Sequence, residues 1–270
     1  MSIRDKAFMG FVRVLPRQLL TIGAGKLAEL PVPQALRKPI YTGFAKAVGA
    51  NLDEAAADVS TFSTFNNFFT RALQDGLRPW QAAEGEWAVP ADGKLSACGR
   101  ITRGEMIQAK GISYTVDALL GEDAALWEGA RYCVVYLSPA DYHRVHWPIG
   151  GHVEAVRELG AELWPVNGPS VRTVGGLFVE NERTVSILKD TRGRRSAVVM
   201  VAATVVGGIE LCVPSGSEAR PVEVQGGDEH GRFHLGSTVV LVVQDNEVPL
   251  QDATIPSDSP VTLGTLLWGE

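Results

Sequence analysis

From Trp87 onward the hydrophobic positions come in short runs, rich in β-branched residues and separated by Gly, Pro, Asn and Asp: "RYCVVYL", "VSILKD", "AVVMVAATVV" and "STVVLVV". Runs of this length between turn residues predict strands, and their number predicts a β-rich domain, largely antiparallel. The first 80 residues carry a different period. Phe8, Phe11, Val12, Leu15, Leu19 and Ile22 recur at spacings of three, four and seven, which sets them on one helical face with Lys6, Arg13 and Arg17 opposite. Pro16 divides that stretch and predicts two short helices. The proline-punctuated "PVPQALRKPIY" reads as a connection between helical pieces. "STFSTFNNFFTRALQDGLRPW" predicts a further helix, entered at Ser or Thr and stopped by Gly76 and Pro79. The expected fold class is α+β, with a helical, basic amphipathic region over 1–80 and a β-rich domain over 81–270.

Composition sharpens this picture in three places. With 270 residues, 45% of them hydrophobic, the chain can bury a full core. The longest apolar stretch, residues 197–213, is broken by Gly207, Gly208 and Glu210. It falls short of the ~20 apolar residues of a spanning helix, and its valines favour a buried strand. Charge is unevenly spread: residues 1–49 carry eight Lys/Arg against two Asp/Glu, and the rest 17 against 29. The N-terminal part is thus suited to an anionic surface, either nucleic acid or acidic lipid headgroups. The N-terminus lacks the apolar core and small-residue cleavage site of a secretory signal. Cys98, Cys133 and Cys212 are odd in number and far apart, which fits a reducing compartment better than a disulfide framework.

Candidate chemistry gathers in three places. All five histidines lie between residues 143 and 234, two of them in "YLSPADYHRVHWPIGG" as His143 and His146. They suit acid–base work near neutrality, or, with His152, a metal with an open position. In "VPADGKLSACG", Asp92 precedes Gly93 at a strand entrance; this is ordinary turn chemistry, and also the place from which a carboxylate near His146 would fix the imidazole tautomer. In "GRFHLGSTVVLVVQ", Gly236 and Ser237 stand at the mouth of a strand. A serine hydroxyl there can attack the Gly236 carbonyl, since glycine permits strained backbone. The resulting ester, on losing the serine α-proton, would leave a dehydroalanine and then a pyruvoyl group.

These residues, with "TFNNFFTRALQDGLRP", "PADGKLS", "QAKGISYTVDALLG", "LFVENERTV" and "VAATVVGGIE", make the chain resemble the bacterial phosphatidylserine decarboxylases almost from end to end. The resemblance implies self-cleavage between Gly236 and Ser237 into a β chain (1–236) and an α chain (237–270). Ser237 would become the covalent pyruvoyl cofactor, which forms a Schiff base with phosphatidylserine and yields phosphatidylethanolamine and CO2. His146 would be the base of self-cleavage, supported by Asp92, and His143 would serve decarboxylation as proton donor. The implied partners are an anionic membrane surface, met peripherally at the cytoplasmic face of the inner membrane, and a second copy in a homodimer of αβ units, with no nucleic acid and no metal. Where the family usually reads Val-Asn-Pro, this chain has "VNGP", with Gly168 after Asn167. Three other readings compete: a relative acting on soluble amino acids, a metalloenzyme using His143, His146 and His152, and a carrier domain of biotinyl or lipoyl type. The last lacks an exposed lysine at a hairpin tip.

Overall fold

The computed structural model describes residues 10, 12, 16–109, 112–204, 208–213, 222–234, 237–244, 251–252 and 255–269. Lys6, Phe8, Phe11, Arg13, Leu15 and Gly236 lie outside the described residues. The helices are α1 (Arg17–Ala28), α2 (Gln34–Val48), α3 (Phe65–Phe69), α4 (Val116–Leu120), α5 (Gly168–Val171) and α6 (Leu177–Glu180). The strands are β1 (Trp87–Ala88), β2 (Gly93–Arg100), β3 (Glu105–Ala109), β4 (Ile112–Thr115), β5 (Arg131–Leu137), β6 (Arg144–His146), β7 (Gly151–Leu159), β8 (Arg183–Lys189), β9 (Arg195–Val201), β10 (Ile209–Leu211), β11 (Val222–Val224), β12 (Glu229–Phe233), β13 (Ser237–Val243), β14 (Gln251–Asp252), β15 (Pro260–Val261) and β16 (Leu266–Gly269). The architecture is α+β and β-rich, as the spacing of apolar runs predicts.

Eight strands form one sheet in the order β11-β7-β8-β9-β13-β5-β2-β15, every neighbouring pair antiparallel. Its central strands read as unbroken apolar runs because both faces are covered, which is unusual for antiparallel pairing. Along β13, Val240 and Val242 enter a core with Met106, Leu120, Trp127 and Phe178. Val239, Leu241 and Val243 enter a second core with Trp87, Trp147, Phe233 and Trp268. The second core is roofed by two small sheets, β10-β12-β6 and β1-β16-β14.

The N-terminal helices depart from the sequence expectation in detail. "PVPQALRKPIY" is not a connection: α2 starts at Gln34, directly after Pro33, and runs through Pro39. Burial explains why the helix survives an internal proline. Tyr41 and Ala45, four apart, are buried, and the Tyr41 ring stacks on Phe68 with centroids 4.6 Å apart. The helix expected around 65 is one short turn, α3, whose Thr64 hydroxyl accepts from Asn67 N at 3.1 Å. Gly168 is the first residue of α5, which is capped by the Asn167 side chain on Ser170 N.

Candidate active site

Three loops meet at one end of the central sheet, and backbone hydrogen bonds hold them together. His146 N donates to Pro90 O at 2.8 Å, which brings the Asp92 turn against β6. Phe233 N donates to His143 O at 3.0 Å, which brings the end of β12, four residues before Ser237, against the histidine segment. Ser237 itself opens β13, paired with Leu137 at the end of β5. Period-2 alternation sets Ser237 on the face of Val239 and Leu241, the face roofed by β6 and β12.

Asp92 is buried and fully bonded. Arg78 grips it with Nε at 3.0 and 2.9 Å and Nη2 at 2.7 Å, and Leu263 N donates to it at 2.8 Å. Arg78 also reaches Glu54 at 2.7 Å, and the bond to Asp92 raises the arginine's pKa. The turn needs glycine next: Gly93 has φ +153°, and a Cβ there would run into the Tyr136 carbonyl.

His146 is fixed by a different partner from the one its sequence context suggested. Its Nδ1 lies 2.7 Å from Gly227 O, so Nδ1 carries the proton and donates, and Nε2 keeps the lone pair, 3.2 Å from the Tyr142 hydroxyl. Asp92 makes no hydrogen bond to the ring and acts on it only as a nearby negative charge. Burial lowers the His146 pKa, with the Gly227 bond and the charges of Glu229 and Asp92 partly opposing. The imidazole is therefore neutral at pH 7, the form a general base requires.

His143 is completely buried, its ring against Phe69 of α3 with centroids 4.1 Å apart. Nδ1 donates to Asp141 O at 2.8 Å, and Nε2 has no partner. Burial pushes its pKa down to about 3. The Ser237 hydroxyl is likewise buried and unpartnered, and neither histidine is hydrogen-bonded to it. Sequence reasoning missed Arg78, Gly227 and Phe69, whose partners lie far along the chain, and Tyr142, which stands four residues before His146 in the same motif. It also missed His230, buried against Trp147 with both ring nitrogens unpartnered and its pKa pushed down to about 3 by burial. His152 stands apart on β7, opposite Lys189 and Glu223, and among the described residues no three His, Cys, Asp or Glu side chains gather as metal ligands.

A cavity of about 940 Å³ opens beside this end of the sheet, between α1 and the β strands, lined among others by Ile22, Lys26, Asn66, Leu163, Glu182 and His234. Asn66 Nδ2 bonds to Glu29 and His234, and His234 meets Glu210 at 3.2 Å, while Asn66 Oδ1 is buried without a hydrogen-bond partner. What the residues can do follows from their protonation: a lone pair at the half-buried His146, one at the buried His143, and a buried, unengaged hydroxyl at Ser237.

The sequence profile of the phosphatidylserine decarboxylase family matches residues 65–267. The phosphatidylserine decarboxylase proenzyme of Anaeromyxobacter sp. (strain K) is 39% identical over 272 residues, covering 94% of this chain and 95% of its own. That of Myxococcus xanthus is 38% identical over 275 residues (97% and 98%), and that of Bordetella avium 36% over 287 residues (100% and 95%).

Proposed function

Because this chain belongs to the phosphatidylserine decarboxylase family, we propose that it converts phosphatidylserine to phosphatidylethanolamine and CO2 after cutting itself between Gly236 and Ser237. The observation that carries this reading is the buried, unpartnered Ser237 hydroxyl at the start of the central strand, in a site with two neutral histidines.

In self-cleavage Ser237 Oγ attacks the Gly236 carbonyl and gives up its proton. His146 Nε2 is the base, because its other nitrogen is committed to Gly227. The Asp92 carboxylate, anchored by Arg78, favours the imidazolium as it forms. The amide becomes an ester, and loss of the Ser237 α-proton expels the Gly236 carboxylate. Hydrolysis of the remaining enamine, with loss of ammonia, leaves a pyruvoyl group heading residues 237–270. The residues fit such a group: β13 stays clamped between β5 and β9 after the cut, and Val239–Val243 are wholly buried. Each of those side chains opposes release of the α chain by roughly 1.5–3 kcal/mol.

A pyruvoyl group at residue 237 would supply an electrophilic carbonyl for the substrate amine and a sink for the electrons left when CO2 departs. His143 moves the proton. Its bare Nε2 accepts one as the substrate ammonium is deprotonated, and the proton is returned to the carbon that lost CO2. Phe69 covers the ring and keeps water from that carbon.

A lipid substrate is supported by α1. This helix turns Thr21 and Ala28 inward and leaves Leu19 (70% exposed) and Ile22 (55% exposed) outward, the reverse of a helix packed on its own core. It is tied down by polar contacts instead: Arg17 bonds Glu162 at 2.7 Å and lies over the Trp164 ring at 3.6 Å. An outward apolar row beside the 940 Å³ cavity, in the basic N-terminal part, suits peripheral binding at the cytoplasmic face of an anionic bilayer. Among the described residues no helix is long and apolar enough to cross a membrane. Intact mass spectrometry tests the reading: purified enzyme separates into residues 1–236 and a blocked fragment 237–270, and releases CO2 from phosphatidylserine vesicles. An uncut 270-residue chain with full activity overturns it.

A further inference from the structure

Arginines around the candidate site are not alike. Arg144 pairs with Glu229 at 2.7 Å, and Arg78 with Asp92 and Glu54 at 2.7 Å each. Arg71 has neither a hydrogen bond nor an ion pair to its guanidinium among the described residues, although it is only 4% exposed and its Nε is fully buried. The carboxylate whose charge it feels, Glu54, is engaged by Arg78. Leaving a cation buried without a counterion is costly, so proteins pair such groups or supply the anion from a ligand.

Arg71 lines a cavity of about 320 Å³ whose wall also holds Arg144, Arg232, Ser63, Asn67 and Thr70, and no carboxylate. The cavity adjoins the reaction centre. Phe69, two residues before Arg71, packs against the His143 ring, and Arg144, the residue after His143, donates from Nε to Thr70 O at 2.9 Å. The Arg71 charge is felt at the His143 ring, where it opposes protonation.

We propose that this cavity is the headgroup subsite of the decarboxylase, in which the Arg71 guanidinium binds the phosphodiester of the lipid substrate. The inference rests on the function proposed above. The substrate offers two anions, and the chemistry chooses between them. A cation paired with the departing carboxylate would stabilise the ground state more than the transition state, since charge leaves that group as CO2 forms. The phosphodiester keeps its charge throughout, so holding it supplies binding energy and orientation without opposing the reaction. It is also separated from the amino-acid carbon by only a few bonds, which matches a subsite one side chain away from His143. The planar fork of arginine suits two phosphate oxygens at once, and the hydroxyl and amide of Ser63 and Asn67 complete a polar wall.

The test compares Arg71→Gln and Arg71→Lys with the wild type, each as the self-cleaved full chain, on two water-dispersed substrates. One is dihexanoyl phosphatidylserine; the other is O-hexanoylserine, which has the same amine and carboxylate but no phosphate. Arg71→Gln should lower kcat/KM on the phospholipid by about tenfold or more, mainly through KM, Arg71→Lys should recover part of it, and O-hexanoylserine, which meets only the changed charge at His143, should be affected far less. Inorganic phosphate should compete with the phospholipid in the wild type and not in Arg71→Gln. Two results overturn the subsite alone: equal losses on both substrates, which assign Arg71 to the carboxylate or to folding, and phosphate changing turnover of O-hexanoylserine, which makes the cavity a site for free anions. Should Arg71→Gln fail to self-cleave on a denaturing gel, Arg71→Lys carries the same comparison, because it keeps the charge and loses the fork. A wild type that releases CO2 from neither substrate overturns the decarboxylase reading and the subsite with it.

Discussion

Asp92 and Ser237 are two buried polar residues at the same end of the sheet, and they are treated in opposite ways. Asp92 accepts from Arg78 and from Leu263 N, so its position is over-determined. Ser237 Oγ has no partner, and neither does the neighbouring lone pair of His143. A satisfied buried group is a fixture, while an unsatisfied one carries a desolvation cost of about 1–3 kcal/mol that a reaction or a ligand can relieve. The difference teaches where chemistry occurs and what merely holds it in place, and substitutions on the two sides should fail in different ways.

The largest effect is expected at Ser237. Ser237→Ala removes the nucleophile and the precursor of the electrophile together, so a denaturing gel should reveal only the uncut chain and CO2 release should be undetectable. The histidines should then separate. His146→Ala should accumulate uncut chain, whereas His143→Ala should still cleave while losing about 10²–10⁴-fold in decarboxylation. Normal cleavage and turnover in both variants would sink the assignment. On the fixture side, Asp92→Asn removes one of the two carboxylates on Arg78 and leaves Glu54 in place. It should cost about 1.5–3 kcal/mol of stability, read by urea unfolding, and slow self-cleavage without abolishing it.

Acid should expose the same contrast without mutation. Burial holds His143 and His230 neutral, each with its pKa lowered to about 3 from an ordinary 6.5. The unfolded chain therefore binds these protons first as pH falls. Their contribution to stability is complete above about pH 6.5 and is lost from there down to about 3, by up to ~1.4 kcal/mol per pH unit for each. Urea midpoints measured between pH 7 and pH 4 should fall, and less steeply in His230→Met. The smallest effect is at the surface: Leu19→Ser, Ile22→Ser and Leu27→Ser together should weaken binding to anionic vesicles and leave cleavage unchanged, since all three side chains are exposed. Unaltered co-sedimentation would remove α1 from the membrane contact.

Much of this was readable along the chain. Strand-length β-branched runs lie where the sheet is, and Gly93 and Ser237 stand at strand mouths as the turn and breaker residues imply. The residues of the candidate site come from three motifs whose types alone announce acid–base and nucleophilic chemistry. Two expectations were local readings that packing overrode: the prolines of "PVPQALRKPIY", whose segment is helical because Tyr41 and Ala45 find Phe68, and the tautomer of His146, set by Gly227 O.

Period, breaker residues and side-chain chemistry are short-range properties, so the sequence by itself determined the β-rich class and the kinds of reactive group at residues 92, 143, 146 and 237. Pairings between separate segments were decided only by the tertiary structure: Arg78 with Asp92, His146 with Gly227, Phe69 on His143, and Arg71 left with no hydrogen bond or ion pair among the described residues. Each depends on which backbone carbonyl or side chain packing brings within about 3 Å of another, a distance that no spacing along the chain encodes.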